Sequence, residues 1–459
     1  MYTAKVRVYY QFTKAKRQVP AYRDFLRSVQ FTRPPFNALV PDIQKIPVTD
    51  KLNYIKRYPL TERCVRGKIA NTGVVIDESS GSSGTATNWA RGKKERKINA
   101  RFIRFGIQNL FGKNPLFMIN AFALGSWATG INITMSCVSF AKIKSTGPDT
   151  TKIINTIRQF GKAQRYIIMG YPPFLKMLVD HSDIDWHGYD VSFIFGGESM
   201  SEGLRDYLRS KGIRKIYSSF GASDLELNIA SENDFTISLR QLLRTNDRLR
   251  ERLVKFTGAL PMLFQFNPAD FLIETTEENE LIISVCRQGY LAPKIRYNVH
   301  DRGHVMQMAE LRSILKDLGI NQAEYVRPQT DLPVLFHYGR ADMTVSFFGS
   351  NISPTDIQET ISNLPGFLQS IHSFCMTTTE DQDGNKQLIV SMELQPSPPE
   401  SGPDLSPQVF FDQLAGVNQD FREARRISGS DTHTLLEWHE FGTGPFADAD
   451  IRIKARYVY

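Results

Sequence analysis

The stretch Tyr166-Ile167-Ile168-Met169-Gly170, followed by Pro172-Pro173-Phe174-Leu175-Lys176-Met177-Leu178-Val179-Asp180 and then Val191-Ser192-Phe193-Ile194-Phe195, decides the fold. Each short apolar run closes on a glycine and is too brief for a helix, so both read as strands buried on two faces. The segment between them has prolines in its first turn and apolar residues at helical spacing, which predicts a helix over 172–180. The alternation starts upstream with a helix over 150–162 and continues with a helix over 201–211 and a strand over 215–218. This order predicts an α/β fold with a parallel, doubly wound sheet and ligand sites at the carboxyl ends of its strands.

Further out, Ile98, Phe102, Ile103, Phe105, Ile107 and Leu110 predict an amphipathic helix over 91–111. Residues 15–29 read as helix, and Pro34, Pro35 and Pro41 make the following stretch irregular. Strand patterns at 281–286 and 333–338 predict a β-rich unit. After Gly339 the texture changes: 374–379 and 387–394 flank turn residues at 381–385, a hairpin signal, and a single helix is expected over 409–426. These elements predict a small α+β unit at the end of the chain. No internal repeat is visible.

The 459 residues carry a net charge of +8, with 41% hydrophobic and 11% aromatic residues, which excludes a disordered chain. Cys64, Cys137, Cys286 and Cys375 are widely separated and form no CxxC pair, so neither a disulfide framework nor a zinc cluster is expected. A reducing, cytoplasmic setting suits them. Charges interrupt every apolar stretch of residues 1–18, which argues against a signal peptide. The longest apolar run, 117–133, is broken by Asn120, Gly125, Ser126, Thr129 and Asn132, and falls short of the roughly 20 residues that span a bilayer. The charge suits an anionic small molecule and is too diffuse for nucleic acid; the basic stretch 91–97 reads as a solvated helix start.

Five segments could carry chemistry. Glu78-Ser79-Ser80-Gly81-Ser82-Ser83-Gly84-Thr85-Ala86-Thr87 follows a short strand pattern. Its glycines let consecutive N–H groups point inward and its hydroxyls add donors, which suits phosphate oxygens; by composition alone it could equally be a flexible linker. It lacks the Gly-Lys-Ser/Thr ending of a Walker A loop. Phe195-Gly196-Gly197-Glu198 ends a strand and lets a planar ligand approach the backbone, although alone it reads as an ordinary turn. Phe220-Gly221-Ala222-Ser223-Asp224 combines a stacking ring with a carboxylate suited to hydrated Mg2+. In Pro293-Lys294-Ile295-Arg296-Tyr297-Asn298-Val299-His300-Asp301, the last carboxylate could accept from vicinal ribose hydroxyls. Gly339-Arg340-Ala341-Asp342-Met343 stands where the texture changes.

Taken singly none of these assigns a function, but their order resembles the adenylate-forming (acyl-CoA synthetase-like) superfamily, and within it the phenylacetate–CoA ligase branch. The Gly-Arg-x-Asp segment is followed by Gly349, Asn351, Pro354 and Ile357 at that branch's spacing, and Val19-Pro20-Ala21-Tyr22 is similar to its N-terminus. The resemblance covers nearly the whole chain. It implies a large ATP- and acid-binding domain over 1–338 and a small mobile C-terminal domain over 339–459, rotating about Asp342. It further implies that Ser79, Ser80, Gly81, Ser82, Ser83, Gly84 and Thr85 hold phosphates. Gly196, Gly197, Glu198, Phe220, Gly221 and Ser223 would bind the nucleotide, with Phe220 and Gly197 sandwiching adenine and Asp301 and Arg340 on the ribose. Asp224 would bind Mg2+, and Lys454, in the tail Arg452-Ile453-Lys454-Ala455-Arg456, would be the catalytic lysine.

This chain departs from the branch in several places. Thr85-Ala86 replaces Lys-Pro, leaving Arg91, Lys93 or Lys94 as substitutes; Asp224 replaces Glu, Phe220 replaces Tyr, Met343 replaces a second hinge Asp, and Phe348 stands where Arg is common. The implied reaction joins a small-molecule carboxylic acid to ATP and then passes the acyl group to CoA, the leading acceptor. The alternatives are an amine acceptor or another oxyacid in a biosynthetic pathway, or nucleotide binding without turnover. Phe122, Trp127, Tyr171 and Phe195 fall in the segments expected near the acyl pocket and favour an aromatic or apolar acid over a dicarboxylate. No nucleic-acid or membrane partner is expected, and a homodimer is a candidate assembly.

Overall fold

The computed structural model describes residues 2–32, 36–37, 40–79, 87–180, 182–256, 260–341, 344–364, 367–381, 384–396, 406–429 and 433–447. Strands Lys142–Ser145, Phe117–Asn120, Arg165–Gly170, Asp190–Phe195 and Ile216–Phe220 lie side by side in that order, all parallel. Both faces of this sheet are covered, and the strand period of two divides the side chains between them. Tyr166, Ile168, Phe193 and Phe195 enter one core with the helix Thr150–Phe160. Ile167, Met169 and Tyr217 enter another with Ile103, Ile107 and Phe111 of the helix Lys93–Phe111. The continuous apolar runs in the sequence follow from this double burial, and the α/β expectation is met.

The β-rich part does not form a sheet of its own. Beyond Ile216–Phe220 the sheet continues antiparallel through Ala230–Ser231, Met262–Gln265, Val334–Arg340, Tyr297–Met306, Glu280–Val285 and Phe271–Thr275, making eleven strands. Ala230–Ser231, only two residues long, joins the halves, and strand periodicity cannot register so short an element. An ionic network lies beneath this junction. The Arg205 guanidinium bonds Glu232 at 2.8 Å and 3.0 Å and Glu202 at 3.1 Å; Arg240 bonds Glu202 at 2.6 Å, and Glu232 also accepts from the Ser218 N–H at 2.7 Å. All four side chains are buried.

Two helices differ from expectation. Residues 15–29 fall in two helices, Tyr2–Gln18 and Pro20–Ser28, because Pro20 lacks the N–H to continue the first and suits the first turn of the second. The single helix expected over 409–426 is likewise two, Pro407–Val417 and Gln419–Ser428. Asn418 separates them: its Oδ1 caps Phe421 N at 2.9 Å, while its Nδ2 reaches Asn351 O and Asp356 Oδ2, both at 3.0 Å. The hairpin signal is met by Ile371–Glu380 and Lys386–Leu394, paired antiparallel, with Thr434–His439 added parallel to the second strand. The four cysteines are free and buried. Among the described residues no helix is long and apolar enough to cross a membrane.

His304, on the strand Tyr297–Met306, stacks on Phe336 with ring centroids 4.4 Å apart. Burial, helped by nearby Lys255, lowers its pKa from 6.5 to about 4. The folded chain therefore keeps this imidazole neutral where the unfolded chain protonates it. Its contribution is complete above pH 6.5 and is lost as pH falls towards 4, roughly 3 kcal/mol in all. His304→Phe should remove that part of the acid sensitivity, measured as the difference in urea unfolding free energy between pH 7 and pH 4.5.

Candidate functional site

A cavity of about 1010 Å3 opens at the carboxyl ends of Asp190–Phe195 and Ile216–Phe220, where the parallel part of the sheet gives way to the antiparallel part. Phe122, Trp127, Tyr171, Phe195, Gly196, Gly197, Glu198, Phe220, Gly221, Ser223, Asp224, Asp301 and Arg340 all line it. Thus most of the residues singled out by motif meet in one place. Asp342 and Lys454 lie outside the described residues, as do Ser80, Gly81, Ser82, Ser83, Gly84 and Thr85. The strands on either side of that loop, Val75–Ser79 and Thr87–Arg91, pair antiparallel with Ser79 opposite Thr87. Glu78 lines the cavity and donates its N–H to Ser126 O at 2.9 Å, which joins this hairpin to the segment holding Trp127.

Loop 220–224 is tied down from two sides. Arg91 donates to Ser223 O at 2.6 Å and Leu225 O at 3.1 Å, while its Nε bonds Asp77 at 2.7 Å. Burial works against the charge of Arg91, but Asp77, Glu226 and Glu95 outweigh it and hold the guanidinium protonated. Arg91 is therefore a buried clamp on the loop, and Lys93 and Lys94 do not line the cavity. Among the described residues, the lysines and arginine that line it are Lys51, Lys56, Lys386 and Arg340. Gly221 is required by space: a Cβ there would fall 2.4 Å from Leu227 O. Asp224 Oδ2 accepts from the Tyr297 hydroxyl at 2.6 Å.

Asp301 and Arg340 are cross-strand partners, with Arg340 Nε 3.8 Å from Asp301 Oδ1. Motif reading did not single out His337. Its Nε2 lies 3.0 Å from Asp301 Oδ2, and its ring sits 4.6 Å from that of Phe220, centroid to centroid. One histidine thus touches both the Phe220 ring and the Asp301 carboxylate. The available signal was a lone polar residue in the apolar strand run Val334-Leu335-Phe336-His337-Tyr338.

Glu198 faces the C-terminal elements. Its carboxylate accepts from the Gly349 N–H and pairs with Lys386 of the hairpin. Ser201 Oγ to Glu380 at 3.0 Å and Lys176 Nζ to Asn385 at 2.9 Å extend this contact. Gly349 has φ +84°, and a Cβ on it would come within 2.4 Å of the Tyr171 ring, so only glycine allows this approach. Phe122 meets Tyr171 edge to face at 5.2 Å, and with Trp127, Ile133 and Met169 they form an apolar flank of the cavity. Burial, with the Glu198, Asp420 and Glu423 carboxylates adding to it, raises the Tyr171 pKa, so its hydroxyl is neutral.

No described cluster of three or more His, Cys, Asp or Glu residues could cage a metal. A magnesium ion needs no such cage, because it is commonly held by one or two carboxylates together with substrate phosphates. Asp224, at the cavity wall, fits that role.

No family model matches the sequence, and no curated protein does. Solved structures do. An open conformation of 2-hydroxyisobutyryl-CoA ligase in complex with 2-HIB-AMP and CoA is similar over 99% of this chain and 90% of that one, with 13% identity and a TM-score of 0.53. The same enzyme in the postadenylation state with R3-HIB-AMP is similar over 99% of this chain and 88% of that one, at 14% identity and a TM-score of 0.53. The chain shares the fold of 2-hydroxyisobutyryl-CoA ligase.

Proposed function

We propose that this chain is an ATP-dependent ligase that activates a carboxylic acid as its acyl-adenylate and passes the acyl group to CoA, in the manner of the phenylacetate–CoA ligase branch. The observation that carries this reading is the single cavity that joins the Phe220–His337 pair, Asp301, Arg340 and Asp224 to an apolar flank. A nucleotide occupies the first part, with adenine against the aromatic pair and ribose hydroxyls donating to Asp301. The acid occupies the second. Its carboxylate attacks the α-phosphorus, the bond to the bridging oxygen breaks, and pyrophosphate leaves. Charge builds on the phosphate oxygens during this step, so fixed cations and N–H donors lower the barrier. Loop 79–85, Lys51, Lys56 and Lys454 are the groups proposed for this, and Asp224 would hold a magnesium ion, which when bound would supply further positive charge beside the phosphates.

The apolar flank suits an aromatic or apolar monoacid, because a second carboxylate would be desolvated beside Phe122 and Trp127. ATP–pyrophosphate exchange across a panel of acids tests the proposal. Exchange with aromatic or apolar acids, followed by acyl-CoA formation when CoA is added, is the expected result; no exchange with any acid would reject adenylation. Product formed only with an amine would reassign the acceptor.

Asp301→Ala should weaken ATP binding by about 10- to 100-fold while the protein stays folded, since hydrogen bonds to a charged group contribute roughly 1.5–3 kcal/mol. Unchanged ATP affinity by calorimetry in the folded variant would remove the nucleotide from this cavity.

A further inference from the structure

The strand Tyr297–Met306 is irregular where it carries Asp301. On one side Glu280 pairs with Arg302 but Ile282 pairs with Asn298, so Leu281 stands opposite the whole of 299–301. On the other side the ladder with Val334–Arg340 shifts register between Arg302 and Gly303. A regular strand presents alternate side chains to one face, yet Asn298, Val299, His300 and Asp301 all line the cavity. Bulges of this kind re-aim a side chain, and where they need a residue in the left-handed region it is usually glycine. Here that residue is His300, with φ +57°.

The side chains around His300 hold it in this conformation. Its Nδ1 lies 3.1 Å from Glu280 Oε2, and the same oxygen accepts from Asn298 Nδ2 at 2.6 Å. Asn298 Oδ1 in turn accepts the His300 N–H at 2.8 Å, the local contact by which asparagine stabilises a turn two residues on. The His300 carbonyl accepts the Ala341 N–H at 2.6 Å, which ties the residue after Arg340 to the same bulge. Glu280, Asn298 and His300 thus close a ring of hydrogen bonds around one backbone conformation. The next residue is Asp301, whose two oxygens face His337 at 3.0 Å and Arg340 at 3.8 Å. Relaxation of residue 300 to a negative φ would turn the chain that follows it, and the Asp301 carboxylate with it.

We infer that His300 is a positioning residue for nucleotide recognition: held in the left-handed region by Glu280 and Asn298, it aims the Asp301 carboxylate at the ribose hydroxyls. The inference rests on the reading of Asp301 as the ribose contact. It gives His300 itself no contact with the nucleotide, so the backbone conformation is what matters. Glycine, which adopts positive φ without a steric penalty, is then the substitution that preserves recognition, and alanine the one that removes it.

Binding of ATP and of its dideoxyribose analogue is measured by calorimetry with the full chain. The wild type should prefer ATP by about 10- to 100-fold, the range expected from hydrogen bonds to a charged group. His300→Ala should cut that preference by about fivefold or more and leave the affinity for the analogue unchanged, whereas His300→Gly should keep it. Glu280→Ala, on the neighbouring strand, should act like His300→Ala and supplies the test if that variant folds poorly. A loss confined to ATP and restored by glycine supports the inference. Equal weakening of both nucleotides overturns it and leaves His300 with a merely structural role. A loss as deep with glycine as with alanine also overturns it, as does an unchanged preference in either folded alanine variant. An Asp301→Ala protein that still prefers ATP rejects the ribose reading itself, and this inference with it.

Discussion

Glu232→Ala should lower the free energy of unfolding by about 3–5 kcal/mol, the usual cost of leaving a buried charge without its partner. Glu232 and Arg205 are both fully buried, and with Glu202 and Arg240 they form a set whose charges cancel. Removing Glu232 leaves an excess positive charge under the strand Ile216–Phe220 and strips the Ser218 N–H of its acceptor. Burial raises the Glu232 pKa, Arg205 and Arg240 oppose that rise, and the pairing therefore depends on both arginines. The double variant Arg205→Met/Glu232→Leu should recover most of the loss, because Glu202 and Arg240 still neutralise each other at 2.6 Å. Urea unfolding of the single and double variants decides the matter. A single variant with wild-type stability would show that water already reaches these side chains. Because Phe220 ends the affected strand, the single variant should also weaken ATP binding.

Lys454→Ala should slow ATP–pyrophosphate exchange by at least about 100-fold, since one well-placed donor or charge contributes roughly 3–4 kcal/mol to a transition state. Consumption of a pre-formed acyl-adenylate by CoA should be nearly unchanged, because in the proposed reaction the C-terminal domain would by then have rotated Lys454 away. Equal slowing of both half-reactions would indicate damage to the domain. Full exchange activity in the variant would assign the charge to another cation, with Lys51, Lys56 and Arg340 already at the cavity wall. The pairing of Glu198 with Lys386 and Gly349 bears on this experiment, since these contacts hold the C-terminal hairpin against the turn that follows Phe195.

Much of the fold was legible because its signals are local. Short apolar runs closing on glycine mark strands covered on both faces, and prolines in a first turn mark helix starts. Gly221 and Gly349 stand where a Cβ would strike Leu227 O or the Tyr171 ring, so the constraint is written in the residue itself. Segments 195–198 and 220–224 met in one cavity because they follow parallel strands, which deliver their carboxyl ends to the same edge of the sheet, whereas Asp301 and Arg340 reach it on antiparallel strands.

Pairings between distant residues were decided only by tertiary structure. His337 joins the site because its strand lies against the one carrying Asp301. Arg91 had looked available to phosphate, but it is withdrawn into the core by Asp77 and the carbonyls of Ser223 and Leu225. Glu198 takes its partner from Lys386, 188 residues away. One apparent helix became two because Asn418 found Asn351 and Asp356, and the β-rich part joined the parallel sheet through a two-residue strand. Periodicity reports which face of an element is buried. Which charge, ring or carbonyl lies across from that face depends on how the chain closes on itself, and that is where the electrostatics of this site were determined.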